Sequence, residues 1–119
     1  VTVTTIRDQK FLTWFYLHCC HRGVHGRFNQ QAIASKRIEV CWTEGFGQQL
    51  EIGICDIPGE STIDLGWSPT RGAWPVYCTA ADSYLRECDR VALTVKVRQL
   101  LLKHGFIEKD GMLVRRGVA

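Results

Sequence analysis

The sequence lacks most of the signatures that assign a chemistry on sight. No G-x-G-x-x-G, P-loop, G-x-S-x-G or H-E-x-x-H pattern occurs, which removes the readings that rest on those motifs. No apolar run approaches the ~18 residues that span a bilayer. The longest, Phe11 to Cys20, is interrupted by Thr13 and His18, so no membrane partner is expected. Val1 to Ile6 alternates valine and threonine and has neither the charged start nor the apolar block of a signal peptide. A cytoplasmic location is the corresponding expectation. Only three prolines are present, and no repeat, low-complexity tract or proline-rich linker divides the chain. Residues 1–119 are therefore read as one domain, a length ordinary for one core and short for two.

Hydrophobic residues make up 45% and charged residues 23% of the chain, so a packed core rather than disorder is expected. The six cysteines, Cys19, Cys20, Cys41, Cys55, Cys78 and Cys88, raise a disulfide framework as one reading. Such frameworks compensate for cores too small to fold alone. This chain has enough leucine, isoleucine, valine and aromatic residues to do without one, so free thiols acting as small buried hydrophobes are favoured.

The net charge of +3 is unevenly spread. Val1 to Arg37 carries +5, Ile38 to Leu85 carries −6, and Arg86 to Ala119 carries +4. Two basic ends flank an acidic middle. Either the ends pair with the middle as surface salt bridges, or a basic face meets an acidic partner.

Hydrophobic spacing supplies the elements. Asp8 has the chemistry of a helix N-cap and Gly23 that of a C-cap, with Phe11, Leu12, Phe15, Tyr16 and Cys19 on one helical face between them. A strand is the competing reading, because Phe-Leu-Thr-Trp-Phe-Tyr is rich in β-formers; Val1 to Ile6 would then pair with it. A short helix is placed around Asn29 to Ser35. Ile38, Val40 and Trp42 alternate with polar residues, as do Leu50, Ile52 and Ile54. A hairpin turning at Gly45-Phe46-Gly47 sets Trp42 opposite Leu50, Val40 opposite Ile52 and Ile38 opposite Ile54. Glu39 and Glu51 then face outward. Thr62 to Trp67 and Val76 to Cys78 read as further strands, with Ser68 to Pro75 a loop between them.

Thr79 reads as the N-cap of a helix that Gly105 closes. Two stripes occupy this stretch, Tyr84, Cys88, Val91 and Val95 on one side and Leu93, Val97, Leu100 and Leu101 nearly opposite, so either one helix is buried on two faces or the chain bends near Leu93. Lys109-Asp110-Gly111 then sits between apolar segments as a two-residue hairpin turn. The expected fold is α+β: an antiparallel sheet of three to five strands with helices packed on one face, and a C-terminal helix followed by a β-hairpin.

Four constellations carry chemistry. His18, Cys19, Cys20, His21 and His25 place imidazoles at helical spacings of three and four, and Cys41 offers a thiolate from the sheet for a metal. Polar residues at a helix end explain the cluster better, because paired Cys-x-x-Cys units are absent and adjacent helical cysteines diverge by ~100°. Cys20 beside His21 is a candidate thiol nucleophile, but such dyads are set in space rather than in sequence. Glu39 with Glu51, and Asp56 with Asp64, are carboxylate pairs with no base or lysine attached. Neither metal nor cofactor is assigned. Third, Trp67, Arg71 and Trp74 are residue types enriched at protein-interface hot spots; tryptophans pinning a loop to the core are the equal alternative.

The fourth constellation is the basic C-terminal segment. Lys96, Arg98 and Lys103 stand on the helix, and Lys109, Arg115 and Arg116 on the hairpin. The stretch Thr-Val-Lys-Val-Arg-Gln-Leu-Leu-Leu-Lys-His-Gly-Phe-Ile-Glu-Lys-Asp-Gly resembles the last half of a winged helix-turn-helix domain. In that family the helix enters the major groove and the wing contacts phosphate. The resemblance covers under a third of the chain and departs in what precedes it, strands and a Trp-Pro segment instead of two close helices. The function expected from these features is a small non-enzymatic binding protein. Nucleic acid is the first partner, through Lys96, Arg98, Lys103, Lys109, Arg115 and Arg116. A protein-binding adaptor or inhibitor using Trp67, Arg71 and Trp74 is the alternative, and a thiol or metal enzyme using the His18–His25 cluster the third.

Overall fold

A computed structural model describes residues 2–20, 33–42, 50–57, 60–68, 70–78, 89–109 and 112–115. Five strands form one antiparallel sheet in chain order: β1 (Thr2–Ile6), β2 (Arg37–Trp42), β3 (Leu50–Ile57), β4 (Glu60–Ser68) and β5 (Gly72–Cys78). Helix α1 (Gln9–Cys19) is inserted between β1 and β2, and α2 (Arg90–Lys103) follows the sheet. A second, two-stranded sheet of β6 (Phe106–Lys109) and β7 (Met112–Arg115) completes the described residues. The α+β expectation is met, including the terminal helix and hairpin.

Alternation decides the register. Ile38 stands opposite Ile54 and Val40 opposite Ile52, and all four are fully buried. Slipping the pairing by one residue would turn this whole set out of the core, so the apolar face holds the strands in place. The same face continues through Ile6, Leu50, Ile63, Leu65, Trp67 and Ala73, and both helices pack upon it. From α1 come Phe11, Leu12, Phe15, Tyr16 and Cys19; from α2 come Leu93, Val97, Leu100 and Leu101. Both basic-end helices therefore lie on one side of the sheet.

The N-terminal segment is a helix and not a strand. Asp8 accepts a hydrogen bond from the Phe11 amide at 3.0 Å, which occupies one of the amides a first turn leaves open. The helix stops at Cys19, with Cys20 extended, short of the expected Gly23, which lies outside the described residues. β1 pairs with β2 instead of the aromatic segment. Of the short helix expected at 29–35, only residues from 33 onward are described; Ile33 and Ala34 are helical, and Ile33 is fully buried.

Three expectations are corrected. Glu39 was placed outward, and it is on the outer face, but it is buried while Glu51 is exposed. Its strand is interior to the sheet, and its Oε1 accepts from the buried Cys55 thiol at 3.5 Å. The stretch Ser68 to Pro75, expected as a loop, is largely strand: β4 runs to Ser68 and β5 begins at Gly72, whose φ is +69°. Pro75 stays within β5, which is the edge strand and has a register shift against β4 there, the setting in which a sheet accommodates proline. The described terminal helix begins at Arg90, capped by Asp89, which accepts from the Val91 and Ala92 amides. Thr79, Tyr84 and Cys88 lie outside the described residues. Of the two stripes, Leu93, Val97, Leu100 and Leu101 are buried, whereas Val91 and Val95 are exposed.

Gly105 closes α2 with φ +95°, and Lys109 pairs with Met112 in the hairpin. α2 is also tied to the β4–β5 turn. Thr94 Oγ1 donates to the Arg90 carbonyl at 2.7 Å and accepts from the Ala73 amide at 3.0 Å.

Candidate nucleic-acid interface

The helices meet beside the start of α1. Asp8 is buried, and its second carboxylate oxygen faces the end of α2: Lys103 Nζ is 3.2 Å away and His104 Nε2 2.9 Å away. A carboxylate only accepts, so Nε2 carries the proton. Burial pushes the Asp8 carboxyl up, but the hydrogen bonds from His104, the Phe11 amide and Lys103 outweigh it and hold the group at about 2.

Beside this junction a cleft of about 150 Å³ opens between α1 and α2. Lys10, Trp14, Lys96, Gln99 and Lys103 line it above Asp8. Helix geometry explains the gathering. Lys10 and Trp14 are four residues apart on α1, and Lys96 and Lys103 are seven apart on α2, each pair within one face. Lys96 Nζ lies 5.5 Å from the centroid of the Trp14 ring, and the His18 ring stacks on Trp14 at 5.1 Å. Three ammonium groups against one carboxylate leave this cleft with a net charge of +2.

The acidic middle lies on the other side of the sheet. Glu39, Gly53 and Asp64 form one outward row and Cys41, Glu51 and Gly66 the next. Gly53 separates Glu39 from Asp64 by two strand spacings, about 10 Å, which keeps like charges from direct opposition.

The six basic residues read from the sequence divide. Lys96 and Lys103 come together at the cleft. Arg98 points to the opposite flank of α2, about 200° from Lys96 around the helix. There it pairs with Glu108 at 3.1 Å and lies over the Trp67 ring at 5.6 Å. Lys109 is exposed at the turn end of β6, and Arg115 stands opposite Phe106 in β7. Arg116 lies outside the described residues. Lys10 and Trp14 were missed, although their i, i+4 spacing on an aromatic helix was visible. In the winged-helix resemblance the helix-to-hairpin order is present, but the sheet before it differs, and the outer face of α2 presents Val91, Val95 and Leu102.

The tryptophan group also divides. Trp67 is 3% exposed on the helix side of the sheet, packed in the core. Trp74 pairs with Gly66 on the outer side, half-buried beneath Arg71, whose guanidinium is 4.1 Å from the ring centroid. Trp67 and Trp74 thus face opposite ways, and only Arg71 and Trp74 share a surface.

The histidine-cysteine group does not converge where it is described. His18 is exposed on α1, Cys19 and Cys20 are buried, and Cys41 is on the far side of the sheet. Burial and the nearby Glu39, Glu51 and Asp64 carboxylates raise the Cys41 thiol, opposing thiolate formation. His21 and His25 lie outside the described residues, as does the Asp56 side chain. Among the described residues no three His, Cys, Asp or Glu side chains are grouped to hold a metal. Among the described residues, too, no helix is long and apolar enough to cross a membrane. Comparison of the chain with protein-family profiles, curated proteins and solved structures finds no match in any of the three.

Proposed function

We propose that this protein is a non-enzymatic binding protein that takes nucleic acid at the cleft between α1 and α2, with Lys10, Lys96 and Lys103 as its phosphate contacts. One observation carries the reading. The two basic ends of the chain supply neighbouring lysines on one side of the sheet, and Glu39, Glu51 and Asp64 lie on the other. A polyanion approaching the helices is therefore not repelled by the acidic middle, whose field falls off within a Debye length of about 8 Å at physiological salt. Lys109, exposed at the end of β6, is a further cation on the hairpin.

Phosphate contacts release condensed counterions, so affinity must fall with salt by about 0.9 logarithmic units per contact on duplex DNA and about 0.7 on a single strand. Three lysines give a slope of roughly −2 to −3. Lys10→Gln with Lys96→Gln should flatten it by about 1.4 to 1.8 units, while Arg98→Gln, on the far flank, should leave it unchanged. Anisotropy titrations over a salt series read all three. No binding of DNA or RNA at low salt, or a slope indifferent to Lys10 and Lys96, refutes the proposal.

A further inference from the structure

We infer that the nucleic acid this cleft accepts is single-stranded, with an unpaired base stacking on Trp14; the inference rests on the nucleic-acid reading above. Three features of the molecule point away from a duplex. α2 commits Leu93, Val97, Leu100 and Leu101 to the core, and its outer face carries Val91, Val95 and Leu102, 74%, 48% and 43% exposed. A helix that reads a major groove needs polar side chains there to meet base edges. Arg98, the cation nearest that face, is already bonded to Glu108. The lysines, in turn, gather with Trp14 around a small cleft of about 150 Å³ and not along the outer face of α2.

Trp14 supplies the second half of the argument. It is half-buried at the lip shared by this cleft and a wider concavity along α1 lined by Gln9, Lys10, Thr13, Leu17 and His18. Its ring is anchored at one edge by Phe11, 6.4 Å between centroids, and is flanked by His18 and Lys96. A base-sized ring can take the position that the Lys96 ammonium holds over the indole. The flexible lysine then swings to the adjacent phosphate. An aromatic platform beside a positively charged groove is the arrangement that binds single strands with little sequence preference, because every base has a π-face. Trp67 is in the core and Trp74 is across the sheet, so neither can share this role.

The test uses the full chain, a labelled single strand of about twelve thymidines, a duplex of equal length, and the same single strand carrying abasic sites. The expected result is tighter binding of the single strand than of the duplex, weakened by abasic substitution. Trp14→Leu should weaken single-strand binding by roughly 5- to 150-fold, and Trp14→Phe by less. Equal binding of the base-bearing and abasic strands overturns the inference, and this measurement needs no variant to fold. Duplex binding as tight as single-strand binding, with Trp14→Leu inert, also overturns it and leaves the proposed function standing. Failure of every nucleic acid to bind overturns both.

Discussion

Replacing Asp8 by asparagine removes a charge while keeping an N-cap oxygen, which isolates the ion pairs from the cap. The side chain is 6% exposed, so screening by solvent is small. Its carboxyl titrates at about 2 instead of 3.8. A displacement of that size corresponds to about 2 kcal/mol of stability at neutral pH. The sign follows from the direction. Because the folded value is depressed, the contribution is fully present above the unfolded value and is lost as pH falls from about 4 through about 2. Asp8→Asn should therefore cost about 1–2 kcal/mol at pH 7 in urea unfolding and much less near pH 2.5. Asp8→Ala should cost about 1 kcal/mol more at pH 7, since the Phe11 amide loses its acceptor as well. An Asp8→Asn penalty of the same size at both pH values would refute the ion-pair argument. The variant also links stability to binding. Removing the carboxylate beside Lys103 raises the cleft charge from +2 to +3, so nucleic-acid affinity should rise several-fold at low salt as the fold weakens.

Two further outcomes test the packing. Trp67→Ala should destabilise by about 3–5 kcal/mol in denaturant melts as a core deletion, whereas Trp74→Ala, half-buried on the other face, should cost much less. Equal penalties would contradict the opposite facing of the two rings. Gly72→Ala should lower the melting temperature, because φ there is +69° and a Cβ would crowd Thr94 Oγ1 and lie 2.8 Å from its Cγ2. Combining it with Thr94→Ala, which removes both of those atoms, should cost less than the two single losses added together, and strict additivity would mean that the backbone conformation alone is responsible.

Much of the fold was legible along the chain because local chemistry and burial agree. A period of two in Ile38–Trp42 and Leu50–Ile54 admits one register that buries both apolar sets, and that register is the observed one. The Phe11, Leu12, Phe15, Tyr16 and Cys19 stripe has the helical period, Asp8 has an acceptor at the right reach, and Gly105 can take a positive φ. These are nearest-neighbour facts. The site was only half legible. Lys96 and Lys103 share a helical face that spacing reveals, yet Arg98 was grouped with them because charge was read without direction. What the tertiary structure decided is which distant residues meet. Asp8 reaches Lys103 across 95 positions of sequence, and Lys10 and Trp14 face Lys96 only because both helices pack on one side of the sheet. The same packing separates Trp67 from Trp74, buries Glu39 against Cys55, and lets Pro75 sit in an edge strand. Alternation assigns a residue to a face, but what lies across that face is fixed by long-range burial, for which no local pattern in the chain is a proxy.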